Sequence, residues 1–442
     1  MEEIKKNALE KDLEAYLADD KNKILRHALV NNSLTAIISS QDSIKDVDFN
    51  FDIDIKTMPV TSQKQSGRCW IFAATNLIRE MIGEKCNLAN FEVSQSYIAF
   101  YDRLEKCNYL LEAIIAEIDA GYDDRTLQWL LMNGIGDGGQ WDMFVAIVEK
   151  YGLVPKNVYP ETATSSGTRD TNKLINFNIS KFASDAKALY EKKGIEAVRR
   201  LKKALMKKIY YMLISCYGLP PEKFDFEYTD KDGKYHLEKG YDPMSFKEKY
   251  LGNRLNDFVS VINAPTKDKP FNKIYTVKYL GNVVGAKPVT HLNVEMKRMK
   301  QLIVKQLKDG QITWFGSDVS VYGDRVGGSW DDTRFDYLSA VDMDLKMDKG
   351  ESLDYRASQM NHAMVITGVA LKNNNPTKWK IENSWGGDIA KAGYFIMSGS
   401  WFDQFVYQAV IDKKYLEPAE LKALETKPVV LKPWDPMGSL AD

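Results

Sequence analysis

Apolar residues recur at helical spacing through the first half of the chain and gather into short, dense runs in the second. Residues 8–30 read as one charged helix, followed by a loop carrying Asp46, Asp48, Asp52 and Asp54. A second helix is expected to start near Cys69, with Ser66 as its cap and Gly83 near its end. Residues 92–118 are helical by apolar spacing, and residues 126–131 continue that character up to a glycine turn at 134–139. Residues 195–216 form a basic amphipathic helix. Ile195, Val198, Leu201, Leu205, Ile209 and Met212 make its apolar stripe, and Arg199, Arg200, Lys202, Lys203, Lys207 and Lys208 fill the other faces. Such a helix can lie on nucleic acid or an acidic membrane, but a solvated helix packed through its stripe is the simpler reading. From about residue 296 to 410 the period changes. Segments 312–315, 362–369, 379–382 and 394–397 are apolar or aromatic, bounded by Gly, Asn or Pro, and read as strands. The fold class is α+β, a helical part followed by a β-rich part.

Composition narrows the function. The chain has 442 residues and a formal net charge of −1, so no global field draws nucleic acid or membrane to it. Its four cysteines, Cys69, Cys86, Cys107 and Cys216, show neither a Cys-x-x-Cys pair nor metal-ligand spacing, which suggests a reducing compartment. The N-terminus, Met1-Glu2-Glu3-Ile4-Lys5-Lys6, is charged rather than apolar, so no signal peptide or membrane span is expected. The expected location is the cytoplasm, with the protein active as made and no room for an inhibitory propeptide.

The candidate chemistry begins at Gln63-Lys64-Gln65-Ser66-Gly67-Arg68-Cys69-Trp70. A lone cysteine beside tryptophan is most often just a small buried residue. Here the sulfur would sit at a helix N-terminus, which lowers a thiol pKa. Gln63 and the Cys69 backbone can each offer an N–H to a developing oxyanion. Two later runs change the reading. His362 opens the strand Asn361-His362-Ala363-Met364, and Asn383 ends the strand Trp379-Lys380-Ile381-Glu382-Asn383-Ser384-Trp385-Gly386. An asparagine carbonyl can hold one imidazole N–H while the other nitrogen faces the sulfur, and Trp385 can shield that bond from water. Of the other histidines, His27 lies on the N-terminal helix, His236 in a turn-rich surface stretch, and His291 before no strand as well defined as that after His362. The chain lacks a His-Glu-x-x-His zinc motif, a Gly-x-Ser-x-Gly elbow and a phosphate-loop spacing, so no metal or cofactor is expected.

The order Gln63, Cys69, His362, Asn383 resembles that of papain-like cysteine proteases. Ser66-Gly67-Arg68-Cys69-Trp70 keeps the glycine, nucleophile and tryptophan of that family's signature, with Ser66 in place of its first cysteine. His362 lies 293 residues after Cys69 (362 − 69), against roughly 130–150 in ordinary members. Together with Gly136-Asp137-Gly138-Gly139-Gln140-Trp141 and the ending Trp434-Asp435-Pro436-Met437-Gly438, this resembles the bleomycin hydrolase / aminopeptidase C family.

The resemblance implies a two-lobed fold. Residues 1–155 would hold an N-terminal extension and the helical lobe with Cys69. Residues 156–289 would form a mainly helical, hook-like insertion for assembly into a homohexamer. Residues 290–425 would form the β-rich lobe with His362 and Asn383, and residues 426–442 an arm entering the cleft. It further implies that Gly138 and Gly139 let a peptide backbone approach. A terminal carboxylate, on Ala441 once Asp442 is trimmed, would meet the substrate's amino group, whereas a retained Asp442 would bring two carboxylates and shift or close the site. That geometry makes an aminopeptidase acting on peptides; an endopeptidase on the same scaffold is the alternative. A non-catalytic binding protein is disfavoured because nucleophile, histidine and asparagine are all present.

Overall fold

The computed structural model describes residues 1–40 and 48–441; Asp46 and Asp442 lie outside the described residues. The N-terminal segment is two helices, Lys6–Leu17 and Asp20–Asn31, rather than one. Asp19 breaks it: its carboxylate accepts the Lys21 N–H and caps the second helix. Neither helix buries a residue.

The helical lobe is built around Cys69–Cys86, packed against Gln95–Ala116 and Trp141–Tyr151. Its first three turns are buried on every face, from Cys69 through Arg79, as befits a helix at the centre of a lobe. One expectation about this helix holds, its end within a turn of Gly83, and one is corrected. It runs past Gly83 to Cys86 and ends at Asn87, which takes the left-handed φ of 52°. Gly83 is interior because the Met58 methyl lies 2.1 Å from where a Cβ would stand. Ser66 does not cap it. Arg68 occupies that position without a side-chain bond, and the Ser66 hydroxyl donates to Gln63 O at 2.6 Å.

The basic helix Ile195–Tyr217 buries Ala197, Val198, Ile209, Leu213 and Tyr217. It packs on Arg169–Lys193 and Gln95–Ala116, with Arg199 and Lys202 both paired to Glu112. Its apolar stripe from Val198 to Met212 packs inside the chain, as the simpler reading held, while Ile195 is exposed. A hairpin follows, Phe224–Thr229 with Tyr235–Tyr241, where His236 stacks on Tyr228 at 4.7 Å and its Nε2 meets Asp230 at 2.7 Å.

Among the described residues, a sheet of twelve strands carries the second half. In chain order its strands are β1 (Ile53–Asp54), β2 (Phe258–Ile262), β3 (Lys273–Val277), β4 (His291–Asn293), β5 (Thr313–Ser317), β6 (Gly323–Asp324), β7 (Ser329–Trp330), β8 (His362–Lys372), β9 (Asn375–Glu382), β10 (Tyr394–Ser398), β11 (Val406–Asp412) and β12 (Val429–Leu431). The spatial order is β12-β3-β4-β2-β11-β5-β8-β9-β10-β7-β6, with β1 also on β8. The four strands expected between residues 312 and 397 are present as β5, β8, β9 and β10. The segment 156–289 is not wholly helical, because β2 and β3 fall inside it and join the sheet. Central β11 and short β4, which begins at His291, were not foreseen.

Antiparallel pairing sets His362 opposite Ser317 and Ala363 opposite Gly316. The lobes meet where the Trp314 indole N–H donates to the Trp70 carbonyl at 3.1 Å. The C-terminal segment is integral. Strand β12 pairs in parallel with β3, and Pro436, Met437, Gly438, Ser439 and Leu440 are all buried.

Candidate active site

Cys69 is the first residue of its helix, 4 % exposed, with Sγ 3.9 Å from the Gly67 carbonyl. The backbone of Ala363, next to His362, favours the ionised thiol. His362 opens β8, and its Nε2 lies 2.8 Å from Asn383 Oδ1, just past the end of β9. The amide oxygen is an acceptor, so Nε2 carries the proton and Nδ1 is left free to take one. The same oxygen accepts the Ser384 N–H at 2.7 Å, which fixes the amide. Trp385 covers the ring at 5.0 Å with a tilt of 31°, the shielding position expected of it. Arg325 lies over the Trp385 ring at 4.4 Å.

Gln63 is held at three points. Its N–H donates to Ser384 O at 2.8 Å, its Oε1 accepts the Ser384 hydroxyl at 2.6 Å, and its Nε2 donates to Ser66 O at 2.6 Å. An amide nitrogen has two hydrogens, so one remains for an oxyanion.

The electrostatics differ from the expected net effect of the helix end. Burial pushes the Cys69 thiol up to about 11, outweighing the nearby backbone N–H groups that pull it down, and Asp137 adds to the rise. Burial also pushes His362 down to about 4, against the opposing bond from Asn383. Each charge alone is disfavoured here, so thiolate and imidazolium have to form together, by transfer of one proton.

Sequence reasoning missed two supports. Ser384 orients both Gln63 and Asn383, and nothing local in the sequence marks it for that role. Glu382, fully buried, accepts from Arg79 and Asn76 at 2.8 Å each and from Thr57 at 2.5 Å. It ties the nucleophile helix to the strand that delivers Asn383. Its signal was a carboxylate in an otherwise apolar strand end.

The glycine pair acquires a packing explanation. Gly138 and Gly139 are both buried, and a Cβ on Gly139 would stand 2.5 Å from the Trp70 indole. The arm passes beside them, with the Gln140 amide donating to Met437 O at 3.3 Å. It is anchored by a buried Lys269–Asp435 pair at 3.0 Å and by Arg125 over Trp434 at 3.9 Å. Its end reaches the segment just before the histidine strand and the strand paired with it. Ser439 Oγ donates to Met360 O at 2.7 Å, and Leu440 lies 3.4 Å from a Cβ built on Gly316. Ala441 lines a small cavity with Gly136, Trp129 and Tyr279.

Comparison with known proteins agrees over nearly the whole length. The Peptidase C1-like family profile matches residues 3–438. Aminopeptidase C of Lactobacillus delbrueckii subsp. lactis is 47% identical over 95% of this chain and 94% of its own. Aminopeptidase C of Streptococcus thermophilus is 45% identical over 96% of each chain. Bleomycin hydrolase of Mus musculus is 39% identical over 87% of this chain and 86% of its own. The crystal structure of PepW from Lactobacillus rhamnosis superposes with a TM-score of 0.96 at 44% identity, covering 99% of both chains. The chain therefore belongs to the Peptidase C1-like family, in its bleomycin hydrolase / aminopeptidase C branch, and is a papain-like cysteine peptidase.

Proposed function

We propose that the protein is an aminopeptidase that removes N-terminal residues from peptides through a covalent thioester. The observation that carries this reading is the arm, which runs from Gln140 to Met360 and Gly316 beside the histidine strand. A chain end held there brings its carboxylate toward a substrate's ammonium and takes the space of upstream residues. The aminopeptidase C relatives support the same reading.

In the proposed reaction the Cys69 proton passes to His362 Nδ1 as Sγ attacks the scissile carbonyl. The oxyanion takes the second Gln63 Nε2 hydrogen and the Cys69 N–H. His362 then protonates the leaving amine, and water deprotonated by the neutral ring hydrolyses the thioester. Asn383 keeps the ring oriented throughout. We extend the proposal to a cytoplasmic homohexamer with inward-facing sites. The N-terminal helices support assembly, since Leu9, Leu13, Leu17, Ile24 and Val30 are exposed and nothing in them is buried. Four free cysteines fit a reducing compartment.

The test compares one fluorogenic peptide with a free and with an acetylated amino terminus, using Cys69→Ala as control. Cleavage of the free form alone is expected. Equal or faster cleavage of the blocked form overturns the exopeptidase reading in favour of an open-cleft endopeptidase. Activity surviving in Cys69→Ala overturns the nucleophile.

A further inference from the structure

Asp137 lies on the glycine loop between the two helices that flank it, and no step of the mechanism uses it. It is nonetheless among the most heavily bonded side chains near the site. Oδ2 accepts the Gly67 N–H at 2.9 Å and the Thr168 hydroxyl; Oδ1 accepts Asn172 Nδ2 at 2.9 Å and the Arg103 guanidinium. Its carbonyl accepts the Trp70 indole N–H at 2.6 Å. The approach to the nucleophile loop is close, since a Cβ on Gly67 would stand 2.9 Å from Asp137 Cβ.

One peptide plane connects these bonds to the oxyanion donor. The Gly67 N–H and the Ser66 carbonyl belong to the same rigid planar unit and point in opposite directions. Asp137 Oδ2 holds the N–H; Gln63 Nε2 donates to the carbonyl at 2.6 Å. A rotation of that plane carries the Ser66 oxygen away and changes where the Gln63 amide aims its second hydrogen. The Gly67 carbonyl, which faces Cys69 Sγ at 3.9 Å, moves with the same residue.

We propose that Asp137 is a positioning residue for catalysis, clamping the Ser66–Gly67 peptide so that Gln63 points at the oxyanion. Through Thr168 and Asn172 the clamp is seated on the start of helix Arg169–Lys193, so the insertion braces the nucleophile loop. The Arg103 guanidinium, buried beside Asp137, keeps the carboxyl ionised, well below the usual carboxylate range. The inference rests on the reading of Gln63 as an oxyanion donor.

The experiment is a double-mutant cycle on kcat and KM with the free-amino peptide. Gln63→Ala alone tests the underlying reading, and losing one oxyanion donor typically lowers kcat by ~10²–10³. Asp137→Asn keeps the shape but can present a donor to the Gly67 N–H. It is expected to lower kcat by about 10- to 50-fold, part of that same loss, with KM within about twofold. In the Gln63→Ala background the further loss should fall below about threefold, because both changes remove one interaction. Asp137→Asn also uncharges the partner of buried Arg103 and can fail to fold. Thr168→Val then stands in: it removes one donor to Asp137 and leaves the ion pair, with kcat expected to fall about three- to tenfold, a fraction of the same donor loss. Thr168→Ser should restore it. Full additivity with Gln63→Ala, or an unchanged kcat in both Asp137→Asn and Thr168→Val, overturns the inference. If Gln63→Ala itself keeps full kcat, the oxyanion reading fails first, and the cycle separates the two cases.

Discussion

Replacing Asn383 by alanine tests the link between the two strands that make the base. In the parent, Asn383 Oδ1 is 2.8 Å from His362 Nε2 and 2.7 Å from the Ser384 N–H. When His362 takes the proton from Cys69, the first of these becomes a bond to a charged ring, a kind worth about 1.5–3 kcal/mol. At about 1.4 kcal/mol per tenfold in rate, its loss lowers kcat by about 10- to 150-fold. The effect belongs to the transition state, so kcat/KM falls in step while KM stays nearly constant. Asn383→Asp keeps an acceptor in place and should recover most of the loss. Asn383→Ala also strands the buried Ser384 N–H, at about 1–3 kcal/mol of stability, so urea unfolding accompanies the kinetics. A fall in kcat of less than about threefold, in an Asn383→Ala protein that the unfolding curve shows to be folded under the assay conditions, would refute the orienting role.

Two further predictions concern the fold. Burial alone holds His291 down at about 4 from an ordinary 6.5, so the unfolded chain binds its proton first as the pH falls. Stability is then full above pH 6.5 and drops by about 3 kcal/mol by pH 4; His291→Gln should unfold in urea with that much less difference between pH 7 and pH 4, and an unchanged difference would count against the buried neutral ring. Gly139→Ala forces a methyl against Trp70 at 2.5 Å and should destabilise the protein by about 1–3 kcal/mol, read in the same unfolding assay; a variant as stable as the parent with a raised KM would instead favour a substrate-facing glycine.

The sequence alone determined the local chemistry and local conformation of this protein. The runs around Cys69, His362 and Asn383 each carry their own helix or strand signal. A helix stripe such as Val198 to Ile209 is written in neighbouring residues. Spacing also told that a large segment separates nucleophile from base. What only the tertiary structure decided depends on groups distant along the chain. Strand β2 pairs with β11 across 146 positions (Ile262 with Gln408), and no local pattern states such a register. Ser384 reaches Gln63, Glu382 reaches Arg79, and Asp137 reaches Gly67 only after the lobes and the insertion close on one another. The sign of the thiol's shift belongs here too. A helix N-terminus favours a thiolate, but removing the sulfur from water disfavours it more. Desolvation is a property of everything packed around a group, and it exists only once the chain has folded.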